Sequence, residues 1–288
     1  MLNLLGGGGN RGNQLNLIGG TLNSLTGTLT PIFVGALIGT VTASTKIADV
    51  NMVLYIAMAV FALAFVVLLF IPISDPEGGS VTESTVFEAS PWSFLEVGIP
   101  GTLIFYLSDT TEKGGGILGN AASIAGTVAA TYWFLMLVGR FTAGFIANLV
   151  SSKTMMVTTS CVGMILVIAA IVLGKSTTML MPVFTGESFQ MTTVPVAALL
   201  LVLCGLCTSV MWSSIFNLAT EGLGKYTAAA SGIFMMMVVG GGVLPLIQSF
   251  IADKSGYLIS YIVPLAGLAY LFFYAIIGSK NINKDIPV

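Results

Sequence analysis

The 288 residues carry 10 basic and 12 acidic side chains and no histidine, with 56% hydrophobic and 8% charged residues. A soluble domain draws roughly a quarter of its residues from the charged types, so a soluble enzyme is excluded and the lipid bilayer becomes the chain's solvent. A net charge of −2 without a basic stripe gives no reason to expect nucleic acid as a partner, and the lack of histidine excludes imidazole catalysis, imidazole proton relays and histidine metal sites.

A membrane-spanning helix needs about 20 mostly apolar residues. Runs free of Asp, Glu, Lys and Arg cover residues 12–45, 50–74, 114–139, 154–174, 188–220, 226–252 and 255–279. These runs are too long and too continuous for the alternating strands of a membrane barrel. The first expected span is about 17–43 and holds Pro31 and a Gly35-x-x-x-Gly39 pair, small residues at the spacing that lets two membrane helices approach. The second is about 53–73. Residues 74–93, with Asp75, Glu77, Glu83 and Glu88, read as a central loop.

An apolar run from Phe94 to Leu107 follows, about 14 residues and so short for a span. Further spans are expected at about 124–149, 155–173, 194–217, 228–251 and 257–277, eight helices in all. If they alternate, Arg11, Lys153, Lys225, Lys280 and Lys284 share one membrane face, and Lys46, Lys113, Lys175 and Lys254 the other. The excess of basic residues marks the first face as cytoplasmic.

Few side chains in these runs carry chemistry. Cys204 and Cys207 form a C-x-x-C inside an apolar run and read as buried thiols. Gly174-Lys175-Ser176 has Ala169 where a P-loop needs glycine, and Gly224-Lys225 precedes Tyr226, so neither lysine completes a nucleotide motif. Ionisable residues in the membrane are functional suspects: Arg140, either a helix-locking anchor or a substrate contact, and Glu96, either a proton or hydroxyl acceptor in a cavity or a group at the water interface. Asn23, Tyr132, Trp133, Trp212, Asn217 and Gln248 are the polar and aromatic candidates for lining a cavity that takes a hydroxylated ligand, with Ser213 beside them. Amides offer both donors and acceptors, and aromatic rings suit the apolar face of a pyranose.

Residues 214–256, with Glu221 to Thr227 and Gly240 to Pro245 as their most specific parts, resemble the signature region of the fucose-galactose-glucose:proton symporter family of the major facilitator superfamily. Tyr132-Trp133 followed by Gly139-Arg140-Phe141 and Gly144 is similar to that family's eighth helix, and Leu15-Asn16-Leu17 with Thr21-Leu22-Asn23-Ser24 to the start of its fifth. The resemblance implies an all-α polytopic membrane protein, a partial major facilitator fold. Residues 1–73 would be the last two helices of the N-terminal bundle, 74–93 the central cytoplasmic loop, 94–277 the C-terminal six-helix bundle and 278–288 a cytoplasmic tail.

It also implies that these residues supply helices five to twelve, and that a complete transporter needs helices one to four, where the family's coupling carboxylates lie. The seventh helix would be shortened, because Leu95-Glu96-Val97-Gly98 follows Ala89 to Phe94 where about twenty more residues are usual. Asn23 matches the family's sugar-contacting asparagine and Glu96 an acidic position of its seventh helix. Gly139, Arg140, Gly144, Glu221, Lys225 and Pro245 fall in the structural and gating motifs. The implied activity is import of a monosaccharide with a proton through the bacterial inner membrane, with no cofactor beyond the proton. The competing reading is a non-transporting remnant or accessory subunit.

Overall fold

The computed structural model describes residues 9–38, 47–70, 89–117, 121–184, 188–223 and 226–280. Its helices are α1 (Gly9–Ile38), α2 (Ile47–Phe70), α3 (Ala89–Ser108), α4 (Ala121–Ile146), α5 (Ser152–Leu173), α6 (Val196–Thr208), α7 (Met211–Thr220), α8 (Thr227–Met236), α9 (Gly240–Ser255), α10 (Tyr257–Ser260) and α11 (Ile262–Phe273). Because α6–α7, α8–α9 and α10–α11 are each one passage with an internal break, eight helical passages occupy the expected positions. Among the described residues five, Ser123–Ile146, Ser152–Leu173, Val196–Thr220, Ala229–Ser255 and Tyr257–Gly278, are long and apolar enough to cross a membrane. The chain is a multi-pass membrane protein.

Helix α3 is longer than its apolar run. It has 20 residues, about 30 Å at the α-helical rise, because it starts at Ala89 inside the stretch expected to be loop. Ala89, Ser90, Pro91, Trp92 and Ser93 are all buried there, and Pro91 falls in the first turn, where no intrahelical N–H is missed.

Each break in a passage frees carbonyls that hydrocarbon cannot solvate, and side chains answer two of them. A 3₁₀ turn at Met237–Val239 separates α8 from α9, and Ser90 donates its hydroxyl proton to the Met237 carbonyl at 2.5 Å. The passage α6–α7 breaks after Thr208, and the Ser209 carbonyl there accepts from Arg140 at 3.3 Å.

The core gathers around α3, whose Leu95, Ile99, Leu103 and Leu107 are fully buried among residues of α4, α6 and α11. Helices α4 and α6 meet at Gly205, where a Cβ would strike the Tyr132 backbone carbonyl; in membranes such bare backbone permits the close packing that substitutes for hydrophobic drive. Helix α2 packs on α1, yet Phe61 and Phe70 on it are 77% and 81% exposed.

One element departs from the all-α expectation. Strands β1 (Thr178–Phe184) and β2 (Phe189–Pro195) form an antiparallel hairpin between α5 and α6, with Met181 opposite Thr192 and Val183 opposite Gln190. Met181, Val183 and Val194 turn inward while Leu180, Phe189 and Met191 stay exposed. This two-residue alternation, short and flanked by long apolar runs, is what a search for 20-residue spans passes over.

Candidate functional site

Arg140 lies in α4 and is 4% exposed, and a guanidinium at such a depth requires partners on every side. Its Nη2 pairs with Glu96 Oε1 of α3 at 2.9 Å, the one ion pair among the described residues. Its Nη1 donates to Ser24 Oγ at 2.6 Å and to the Gly20 carbonyl at 3.1 Å, both on α1. Its Nε donates to the Ser209 carbonyl at the end of α6, the negative end of that helix dipole. One side chain therefore ties four helices together.

Local sequence explains the placement. Pro100 has no N–H to return to the Glu96 carbonyl four residues earlier, so α3 is loosened at the turn that carries the carboxylate. At Gly20 a Cβ would already lie 3.4 Å from the Arg140 side chain, and a larger residue would displace it. At Gly139 a Cβ would strike the Ser209 side chain, which keeps the α6 break within reach of Arg140.

Two turns earlier on α4, the fully buried Tyr132 donates to the Leu95 carbonyl at 3.2 Å and shares a hydrogen bond with Thr208 Oγ1 at 2.8 Å. Trp133 meets the Tyr132 ring edge-on at 5.9 Å. Further toward the 147–151 turn, a Cβ added at Gly144 would lie 3.6 Å from Ile18 of α1. Gln14 donates to the Gly144 carbonyl at 3.0 Å and accepts from Asn148 at 2.8 Å. Of the expected residues, Arg140 and Gly144 meet α1 at its seam with α4 and Glu96 joins them through Arg140, while Gly139 faces α6 and Tyr132, with Trp133 beside it, bridges α3 and α6.

The remaining candidates are scattered. Trp212 stacks on Trp92 with ring centroids 4.4 Å apart and on Phe234 at 4.9 Å. Gln248 is fully buried in α9 beside Gly98 of α3, and neither its amide oxygen nor its nitrogen has a hydrogen-bond partner; the Trp92 indole nitrogen is equally unpaired. Asn217 donates to Ser152 Oγ at 3.0 Å and ties α7 to the start of α5. Asn23 and Glu221 are exposed, on α1 and at the end of α7. Pro245 sits inside α9, and Lys225 lies outside the described residues. Ser24, Gly20, Gln14, Thr208, Ser209 and Trp92 are the participants that sequence reasoning did not single out. Cys204 and Cys207 are buried free thiols, and among the described residues no group of three metal-ligating side chains occurs.

No family model matches the chain. A glucose/galactose transporter of Brucella abortus biovar 1 (strain 9-941) is 28% identical over 279 residues, covering 90% of this chain and 62% of the relative. The L-fucose-proton symporter of Escherichia coli (strain K12) is 28% identical over 87 residues, 30% of this chain and 20% of the symporter. Among solved structures, a crystal structure of a major facilitator superfamily transporter, FucP, in the outward conformation superposes with a TM-score of 0.68 at 16% identity, covering 94% of this chain and 69% of that one. The chain spans less than two thirds of the length of its first relative. It is a membrane protein with the fold of a solved major facilitator superfamily transporter, and it is similar over 90% of its length to a bacterial glucose/galactose transporter.

Proposed function

We propose that the chain takes part in secondary active transport of a monosaccharide, glucose, galactose or fucose, coupled to protons and proceeding by alternating access across the bacterial inner membrane. The observation that carries this reading is homology to a glucose/galactose transporter over 90% of the chain, on a fold shared with a transporter crystallised outward-facing. Proton coupling draws its support from the relative described as an L-fucose-proton symporter. In this reading residues 1–73 belong to one helical bundle, 94–277 to the other, 74–93 link them, and 278–288 form a tail.

Gln248 and Asn23 are the amides assigned to the sugar in this proposal, with Trp133 and Trp212 as ring partners. Glu221, Lys225 and Pro245, together with the seam residues, serve gating. Gln248 has the better support, since an unpaired carboxamide buried within helices is costly and is relieved by a ligand hydroxyl that offers both a donor and an acceptor. An amide retained for a sugar hydroxyl also confers selectivity, because an analogue lacking that hydroxyl leaves the amide unpaired.

The test uses the intrinsic fluorescence of the purified protein, whose three tryptophans, Trp92, Trp133 and Trp212, all lie in or beside this region. Glucose, galactose and fucose are titrated in turn, and at least one should change the emission saturably. Gln248→Leu is expected to weaken that response by about tenfold or more while leaving the midpoint of thermal unfolding unchanged or raised. A Gln248→Leu protein that melts earlier yet responds normally to every sugar would remove Gln248 from the site.

A further inference from the structure

Arg140 and Glu96 do more than fill each other's hydrogen-bonding needs. Along the seam, α1 is held to α4 by Arg140 on Ser24 and Gly20 and by Gln14 on Gly144 and Asn148. Asn13 approaches Met155 Sδ at 3.7 Å from its amide nitrogen, and Leu17 packs with Ala143, Ala147, Met155 and Val210. All these contacts lie along the half of α4 toward the 147–151 turn, so they tie α1 to α4 at one end of the molecule. Arg140 is the charged group in that tie. Its own charge is balanced from α3, a helix outside the α1–α4 pair.

We propose that Glu96 is a proton-binding site whose occupancy releases Arg140 from α1 and opens this end of the seam. The proposal rests on the transport reading and adds to it a coupling carboxylate in the C-terminal half. With Glu96 ionised, the guanidinium is compensated and its grip on Ser24 and Gly20 persists. A proton on the Glu96 carboxylate leaves the Arg140 charge buried with only two carbonyls and a hydroxyl as acceptors. A buried charge that loses its partner is strongly destabilised, and hydration through an opened seam is its relief.

The groups facing Glu96 from the helices packed around it leave it free to act as the switch. Helix α4 presents Arg140 and the Tyr132 phenol, whose oxygen sits on the neighbouring Leu95 carbonyl. Helix α1 presents Gly20 and Ser24, which do not titrate. Helix α6 contributes Thr208 and the Ser209 carbonyl, which do not titrate. Its Cys204 thiol donates to the Leu200 carbonyl of the same helix and Cys207 lies against Gly163 of α5, and Tyr261, ahead of α11, donates to the Ile99 carbonyl one turn along α3 at 2.9 Å. Glu96 is the carboxylate of this group, and its side chain keeps 14% exposure, a route by which a proton arrives.

The test places spin labels at the exposed Asn10 and Leu149 on either side of the closed end, in the full chain in lipid nanodiscs with Cys161 replaced by serine and no sugar present. Lowering the pH is expected to raise the ratio of long to short distances by roughly tenfold or more, well within what uncompensating a buried charge commands. Glu96→Gln should show the long distance at every pH, and Glu96→Asp should restore a pH-dependent ratio. A Glu96→Gln protein that stays closed, or that opens with the same pH profile as its parent, overturns the assignment. Because no sugar enters the experiment, failure of the sugar reading would show instead as a seam that responds to protons in a protein that answers to none of the three sugars.

Discussion

Tyr132 places a hydroxyl against the Leu95 carbonyl and Thr208 at full burial, where water is unavailable as an alternative partner. Tyr132→Phe should therefore lower stability by about 1 kcal/mol, the net worth of an intramembrane hydrogen bond, read as an earlier thermal unfolding transition in detergent. An unchanged midpoint would mean that Leu95 and Thr208 are satisfied without it; the Cys204 carbonyl, 3.1 Å from Thr208 Oγ1, is the alternative acceptor for the single Thr208 hydroxyl proton. Residues of this kind are partly legible in sequence. Arg140 and Glu96 announce themselves because charge is rare in membrane helices, but their mutual pairing depends on how α3 and α4 cross. Ser24 shows a weaker signal that could have been read: Asn13, Leu17 and Ser24 are buried, and with Gly20 they recur at three- and four-residue spacing on one stripe of α1. Asn23 lies one residue off that stripe and is exposed.

Among the elements, α4 and α6 depend on Gly205, because a Cβ there would meet backbone and not a mobile side chain. Gly205→Val should push the helices apart and destabilise the protein by about 1–3 kcal/mol, the usual penalty of overpacking. The loss should exceed that from Gly126→Val, since Gly126 has nothing within 4 Å of its added Cβ; equal losses for the two variants would show that the α4–α6 crossing is looser than described. Charge-free length located the helical passages, because a 20-residue apolar run has one stable solution in lipid. The breaks were harder to see. Met237 to Val239 is as apolar as its flanks, and the turn there is stabilised by the Ser90 hydroxyl of a helix far away in sequence. The start of α3 was hidden for a related reason, since Ser90 and Ser93 read as loop until Gly240 and Gly241 of α9 are found packed against them.

At the scale of the whole molecule, one seam joins α1 to α4 and its neighbours, and it is tight toward the 147–151 turn. Under the proposed transport cycle this closure breaks and re-forms, a demand that polar ties meet by exchanging partners with water. The architecture followed from composition and span length, and the family from local motifs around Tyr132 to Gly144 and Ser214 to Gly256. The grouping of site residues did not follow, because Glu96, Arg140 and Gly144 meet at the seam while Tyr132 faces α3 and α6 and Asn217, Trp212 and Gln248 lie elsewhere. Spacing along a helix says which residues share a face, and only the packing of helices says what that face meets.

Sugar transport driven by protons is tested by uptake of labelled glucose, galactose and fucose into liposomes holding the full chain under an imposed inward proton gradient. At least one sugar should accumulate, and a protonophore should abolish the accumulation. Folded protein that accumulates none of the three under any gradient would contradict proton-driven sugar transport and would favour a membrane subunit that does not transport on its own.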